Sequence, residues 1–187
     1  MNDGALASEQ PHSPFEGALV RLRAREPEDA GLLHVWFNDP EVTEHLGGER
    51  YPISHATERE FLARATASYE NASFAVETLA DGRLIGGVDL RTGDPANRSA
   101  TLGIAIGDKA YWDGGYGTDT MRTVCRFGFE IMNLHRIQLT TSADNLRARR
   151  VYEKVGFCEE GVLRDERFVR GRYVDTIVMG LLEGELR

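Results

Sequence analysis

The run Trp112-Asp113-Gly114-Gly115-Tyr116-Gly117-Thr118 narrows what this chain can become, because it stands between a strand-like stretch and the longest helical stretch, residues 115–132. In that stretch Met121, Val124, Cys125, Phe127, Gly128 and Phe129 supply an apolar stripe at helical spacing. A glycine turn that feeds directly into a helix gathers bare backbone N–H groups at the positive end of the helix dipole, which makes an anion site. The same turn also serves simply to let a strand enter a helix, so the loop alone does not choose between the two. Its spacing excludes two nucleotide loops. No lysine follows the glycines as a P-loop requires, and Thr120 stands where a dinucleotide fingerprint begun at Gly115 needs glycine.

Upstream, residues 19–23 alternate as a first strand, and Glu26-Pro27-Glu28-Asp29 opens a helix expected to turn Leu32, Leu33, Trp36 and Phe37 inward. Asn38-Asp39-Pro40 stops it, with Asp39 and Pro40 as cap and first position of a short helix ending at Gly47-Gly48. Ser54 caps a further helix that carries Phe61, Leu62, Ala65 and Tyr69, so a helical arm precedes the sheet. Residues 73–79 and 84–90 read as strands around Ala80-Asp81-Gly82-Arg83, where Asp-Gly is a hairpin signal. Residues 100–106 are expected to pair antiparallel with them. Residues 136–141 read as a buried strand, and 145–155 as a short helix closed by Gly156. Two last strands, 157–168 and 172–182, join at Arg170-Gly171. The class is α+β.

At 187 residues the chain has the size of one domain. Residues 1–16 are too polar to offset the entropy of ordering and are expected to form a tail, leaving 17–187 as the single domain. With 41% hydrophobic residues, 28% charged residues and a mean hydropathy of -0.38, the chain is of the soluble globular kind. It has no apolar run of about 18 residues, and its start lacks the basic and apolar regions of a signal peptide. No membrane partner and a cytoplasmic location are therefore expected. Cys125 and Cys158 are expected to be reduced core thiols, since neither stands in a C-x-x-C pair. A net charge of -8 and a pI near 5.2 oppose a nucleic-acid partner and favour a cationic acceptor.

About thirty residues after the glycine loop comes Asn145-Leu146-Arg147-Ala148-Arg149-Arg150-Val151-Tyr152-Glu153-Lys154-Val155-Gly156-Phe157. G-x-G-T followed at this distance by N-x-x-A-x-x-x-Y-x-K-x-G-F resembles the GCN5-related N-acetyltransferase (GNAT) superfamily. Within it, the chain is most similar to the RimJ/RimL-like branch, which also includes spermidine acetyltransferases. Val20-Arg21-Leu22-Arg23, Asn38-Asp39-Pro40-Glu41-Val42 and Glu160-Gly161-Val162-Leu163-Arg164 agree with it, so the resemblance runs from Ala18 to Leu182. Trp112 stands where the superfamily often has Gln or Arg.

The resemblance implies a mixed, mostly antiparallel sheet with flanking helices, splayed between its fourth and fifth strands to hold acetyl-CoA as co-substrate. It implies that the backbone of Ile104, Ala105 and Ile106 holds the pantetheine arm and that amides of Gly115, Tyr116, Gly117 and Thr118 hold the pyrophosphate. Asn145 is implied to bind the cofactor arm. Arg149 and Arg150 are implied phosphate contacts, although a solvated helix face explains them equally. Tyr152 occupies the family's position for the proton donor to the departing thiolate, and a phenol is protonated at neutral pH without tuning. An N–H near Ile106 is implied to meet the oxyanion.

No carboxylate occurs in Leu139-Thr140-Thr141-Ser142, where some relatives carry one, so Asp89, Glu41 and Glu44 are the candidates to orient or deprotonate the amine, Asp89 first. None of the histidines forms H-E-x-x-H or pairs with cysteine at ligand spacing, and no G-x-S-x-G elbow exists, so neither a metal nor serine hydrolysis is expected. The function expected is acetyl transfer to a primary amine, either a protein N-terminus or a small amine, by a monomer or homodimer. Glu41, Glu44, Glu49 and Asp89 lean toward a polyamine. The alternative is an acyl-CoA-binding regulatory module without catalysis.

Overall fold

The computed structural model describes residues 13–46, 51–64 and 68–187. Its frame is a seven-stranded sheet of β1 (Val20–Arg23), β2 (Asn71–Thr78), β3 (Leu84–Thr92), β4 (Ser99–Ile106), β5 (Arg136–Ser142), β6 (Cys158–Val169) and β7 (Arg172–Leu182). The spatial order is β1-β2-β3-β4-β5-β7-β6, and every pair is antiparallel except β4–β5. Short turns join β2 to β3 and β6 to β7. Gly82 takes φ 67 in the β2–β3 hairpin, and Arg170 and Gly171 take φ 47 and 82 between β6 and β7, so both turns fall where the sequence places them.

Among the described residues, five helices flank the sheet: α1 (Ala30–Phe37), α2 (Pro40–Thr43), α3 (His55–Arg64), α4 (Tyr116–Glu130) and α5 (Leu146–Val155). Because side chains alternate along a strand, β2 sends Val76 to one face and Ala75 to the other. On the first face Val76, Val88, Leu90, Ile137 and Met179 pack with Met121, Val124 and Cys125 of α4 and with α5. On the second, Ala75 and Leu84 pack with Leu33 and Trp36 of α1, Val42 of α2 and Leu62 of α3. Gly128 lets α4 lie close to the sheet, since a Cβ there would stand 3.0 Å from Ile137 and 3.1 Å from Leu90. Gly107 does the same for α1, because a Cβ would fall 2.2 Å from the Trp36 indole.

The caps follow the sequence. Asp39 accepts from the Glu41 N–H at 2.9 Å, and Ser54 from the Thr57 N–H at 3.1 Å. Arg23 on β1 grips Asp29 through two bonds of 2.8 Å and so fixes the start of the arm to the sheet.

Several expectations are corrected. Leu32 is exposed while Leu33 and Trp36 are buried, because α1 starts only at Ala30, after a 3-10 turn, which rotates Leu32 outward. Tyr69 lies beyond the end of α3 and is exposed, as is Phe61. Cys125 is buried, but Cys158 opens β6, a largely exposed strand at the sheet edge, and is exposed. Of the tail expected over 1–16, residues 1–12 lie outside the described residues. Phe15 packs its ring 5.3 Å from Phe127 and 6.0 Å from Phe74, which ties 13–16 to the first core face. Gly47, Gly48, Glu49 and Ala65 also lie outside the described residues. Among the described residues no helix is long and apolar enough to cross a membrane.

Candidate active site

β4 and β5 are hydrogen-bonded neighbours only from Ser99↔Arg136 to Thr101↔Gln138. β4 then runs on to Ile106 and β5 to Ser142 without meeting, so the sheet opens between its fourth and fifth strands. A cavity of about 580 Å³ fills the opening, with Ile104, Ala105 and Ile106 on one wall and Leu139, Thr140 and Thr141 on the other. The Gly107 N–H bonds to Ile85 on β3 at 2.9 Å. By the alternation of an antiparallel ladder, Ile104 and Ile106 therefore turn their N–H and C=O groups away from β3, toward the opening. The Trp112 indole donates to the Ile106 carbonyl at 2.7 Å and occupies the acceptor a neighbouring strand would have used.

The glycine loop closes one end. Asp113 and Gly115 take positive φ, 60 and 89, and turn the chain sharply into α4. Gly115 is the N-cap and brings no side chain to the helix start. The first helical bond runs from the Asp119 N–H to the Gly115 carbonyl at 3.0 Å, so the amides of Tyr116, Gly117 and Thr118 have no intrahelical partner. Asp119 anchors this turn to the sheet by accepting from the N–H groups of Ala18, Leu19 and Val20 at 3.0, 2.7 and 3.0 Å. Gly115, Gly117 and Thr118 line the cavity, whereas the Tyr116 ring packs edge-on against Tyr111 at 4.9 Å and does not.

α5 forms the adjacent wall. Asn145 caps it through its side-chain oxygen, which accepts from the Ala148 N–H at 3.2 Å, and Gly156 ends it at φ 118. Asn145, Arg150 and Tyr152 line the cavity. Burial pushes the Tyr152 phenol up to about 12, so it holds its proton throughout the physiological range. Arg149 turns the other way, to Glu159 on β6 at 3.1 Å, and does not line the cavity. Asp89 is also outside the lining: it faces Arg91 at 3.1 Å, and it is Arg91 that reaches the cavity. Burial raises the Asp89 carboxyl, against the pull of Arg91 and Arg25. Glu41 lines the cavity but is bound to Lys109 at 2.8 Å, and Glu44 meets Arg170 at 3.1 Å.

Two wall features escape sequence reasoning. The Arg147 guanidinium lies 4.0 Å from the Trp112 ring centroid and joins α5 to the glycine loop. His45, just after α2, lines the cavity with its Nδ1 3.7 Å from Asp144. A cation two residues after the Asn145 cap was a signal for the first. None existed for the second, since the α2 segment meets α5 only through tertiary packing. Among the described residues no group of three His, Cys, Asp or Glu side chains is placed to hold a metal.

Known proteins share this architecture. The family model described as "Acetyltransferase (GNAT) domain" matches residues 20–158. The spermidine N(1)-acetyltransferase of Vibrio cholerae is 31% identical, over 89% of this chain and 94% of that protein. YdaF of Bacillus subtilis, provisionally a ribosomal N-acetyltransferase, is 30% identical over 89% of this chain and 92% of that one. A crystal structure of the Vibrio cholerae spermidine N-acetyltransferase with CoA and spermine superposes with a TM-score of 0.81 at 31% identity, covering 89% of this chain and 96% of that one. The sheet opened beside a glycine turn, the motif pair and the match over residues 20–158 lead to one conclusion: the chain belongs to the GNAT family of acetyltransferases.

Proposed function

We propose that the protein transfers the acetyl group of acetyl-CoA directly to a primary amine, on a small polyamine-like molecule or a peptide N-terminus. The opening between β4 and β5, with Tyr152 in its wall, carries this reading. The groups around it fit such a co-substrate. An amide-bearing strand edge at Ile104 and Ile106 matches the amides of a pantetheine arm, and the uncapped turn of α4 matches a pyrophosphate. Asn145 and Arg150 stand where they would contact the rest of the arm, and Arg147 adds positive charge nearby.

The Ile106 N–H stabilises the oxyanion that forms when an amine attacks the thioester. Tyr152, neutral and buried, protonates the sulfur as it leaves. Asp89 contributes through Arg91 rather than by touching the amine. The likeness to a spermidine acetyltransferase supports a polyamine acceptor, and the likeness to YdaF supports a peptide one.

The test is acetyl-CoA-dependent thiol release with polyamines, aminoglycosides and peptides of varied N-terminus, with Tyr152→Phe run beside the wild type. Release with one acceptor class, reduced about a hundredfold in the variant, is expected. CoA binding without release across the panel would instead favour a binding module.

A further inference from the structure

Attack on a thioester needs an amine that has lost its proton, whereas a primary amine near neutral pH is an ammonium. Of the groups lining the cavity, Glu41, His45 and Asp113 can accept a proton at that pH. Glu41 is held by Lys109, and Asp113 sits in the glycine loop at the phosphate-binding end. The far half of β5, Thr140, Thr141 and Ser142, offers no base. His45 is different. It enters from the α2 side, its Nδ1 is buried without a hydrogen bond, and that atom faces Asp144 Oδ1 at 3.7 Å. The nitrogen that does not face Asp144, Nε2, is the one left for the cavity.

Asp144 is itself fixed. Its Oδ1 accepts from the Ser142 hydroxyl at 2.5 Å, and its Oδ2 from Arg172 on β7 at 2.9 Å. The Ser142 bond, with His45 and Arg172 adding to it, holds the carboxyl below the usual carboxylate range against its partial burial. The His45 backbone is fixed too, since Arg167 on β6 donates to its carbonyl at 3.3 Å. The other charged groups lining the cavity are Glu41 from α2, Arg91 from β3, Asp113 from the glycine loop, and Arg147, Arg150 and Lys154 from α5. An imidazole that lines a cavity and turns one nitrogen toward a fixed carboxylate has the arrangement of a general base.

We propose that His45, oriented by Asp144, is the general base that takes the first proton from the acceptor ammonium. This rests on the acetyl-transfer reading above and deepens it. His45 receives a proton from the ammonium and later passes it to solvent, while the neutral amine forms the C–N bond at the acetyl carbon. The C–S bond breaks as Tyr152 protonates the thiolate, and the second proton lost from nitrogen restores the phenol. The sum is ammonium and acetyl-CoA giving amide, free CoA thiol and one proton.

The experiment measures kcat/KM for thiol release from about pH 6 to about pH 9.5 with spermine, an aminoglycoside and a peptide with a free N-terminus. Wild type, His45→Gln and Asp144→Asn are compared, each with its CoA affinity measured by calorimetry. His45→Gln is expected to lose about a hundredfold near pH 7 with CoA affinity kept. It should recover to within a few-fold of wild type near pH 9.5, where solvent deprotonates the amine without help. Asp144, a positioning residue, should give a smaller loss, about tenfold, with the same pH shape. An unchanged His45→Gln profile, or a loss equal at every pH, overturns the proposal. If the glutamine variant fails to bind CoA, Asp144→Asn decides alone: a pH-dependent loss supports the dyad and an unaltered profile overturns it. Silence of the wild type toward every acceptor overturns the acetyl-transfer reading and this one with it. Turnover by wild type that His45→Gln matches overturns this one alone.

Discussion

The Tyr152 phenol is pushed up to about 12 by burial, while an unfolded tyrosine ionises near its ordinary value of about 10. The folded protein therefore keeps a proton that the unfolded chain gives up between those two values. Stability from this group is whole below about pH 10 and is lost as pH rises toward 12, by roughly 2–3 kcal/mol in total. Cys125, raised by complete burial, works in the same direction. Chemical denaturation of wild type and Tyr152→Phe across that range checks the sign: the variant should show the shallower alkaline decline. A steeper one would contradict the assignment. At this scale the sequence was legible where a motif fixed a residue's place, since Tyr152, Asn145, Gly115 and Gly117 all line the cavity. It was not legible where direction depended on a partner far along the chain. Arg149 turns to Glu159 and Asp89 to Arg91, and both pairings follow from strand and helix placement that spacing alone does not set. His45 faces Asp144, ninety-nine residues on.

Among elements, α1 is held against the rim of the opening by a close contact. Gly107 follows β4 directly, and its hydrogens face the Trp36 indole with no room for a methyl group. Gly107→Ala should force the indole or the β4 end aside and cost about 1–3 kcal/mol. Thermal unfolding should then begin several degrees lower, at about 2–4 °C per kcal/mol for a chain of this size. The pair Gly107→Ala with Trp36→Ala should lose less than the sum of the two single changes, because removing the indole removes the clash that the new methyl group makes. A sum that simply adds would show that the indole does not meet this site. Element types and order were readable from periodicity and turn chemistry, and the ends of most strands moved by only a residue or two. The arm was read less well. The 3-10 turn of Pro27–Asp29 shifts the phase of α1, which is why Leu32 faces outward although it belongs to the same apolar run as Leu33.

Across the whole molecule, the sheet is continuous in connection but divided in pairing. Its order and its one parallel pair agree with the implied fold, and the three-pair contact of β4 with β5 sets where the division begins. The chain thus contains strand edges at its centre as well as at β1 and β6. Edges are where backbone amides meet water, and proteins usually cover them or keep them short. Here the covering is delegated to whatever enters the opening. Amide hydrogen exchange gives this a readout. The Ile104 and Ile106 N–H groups should exchange far faster than that of Ala105, which faces β3, although all three are consecutive on a middle strand. Addition of CoA should slow the first two and leave the third unchanged, and equal protection of all three in the free protein would contradict it. The molecule would then be one whose central strand behaves as a margin until its ligand arrives, so that binding finishes the sheet.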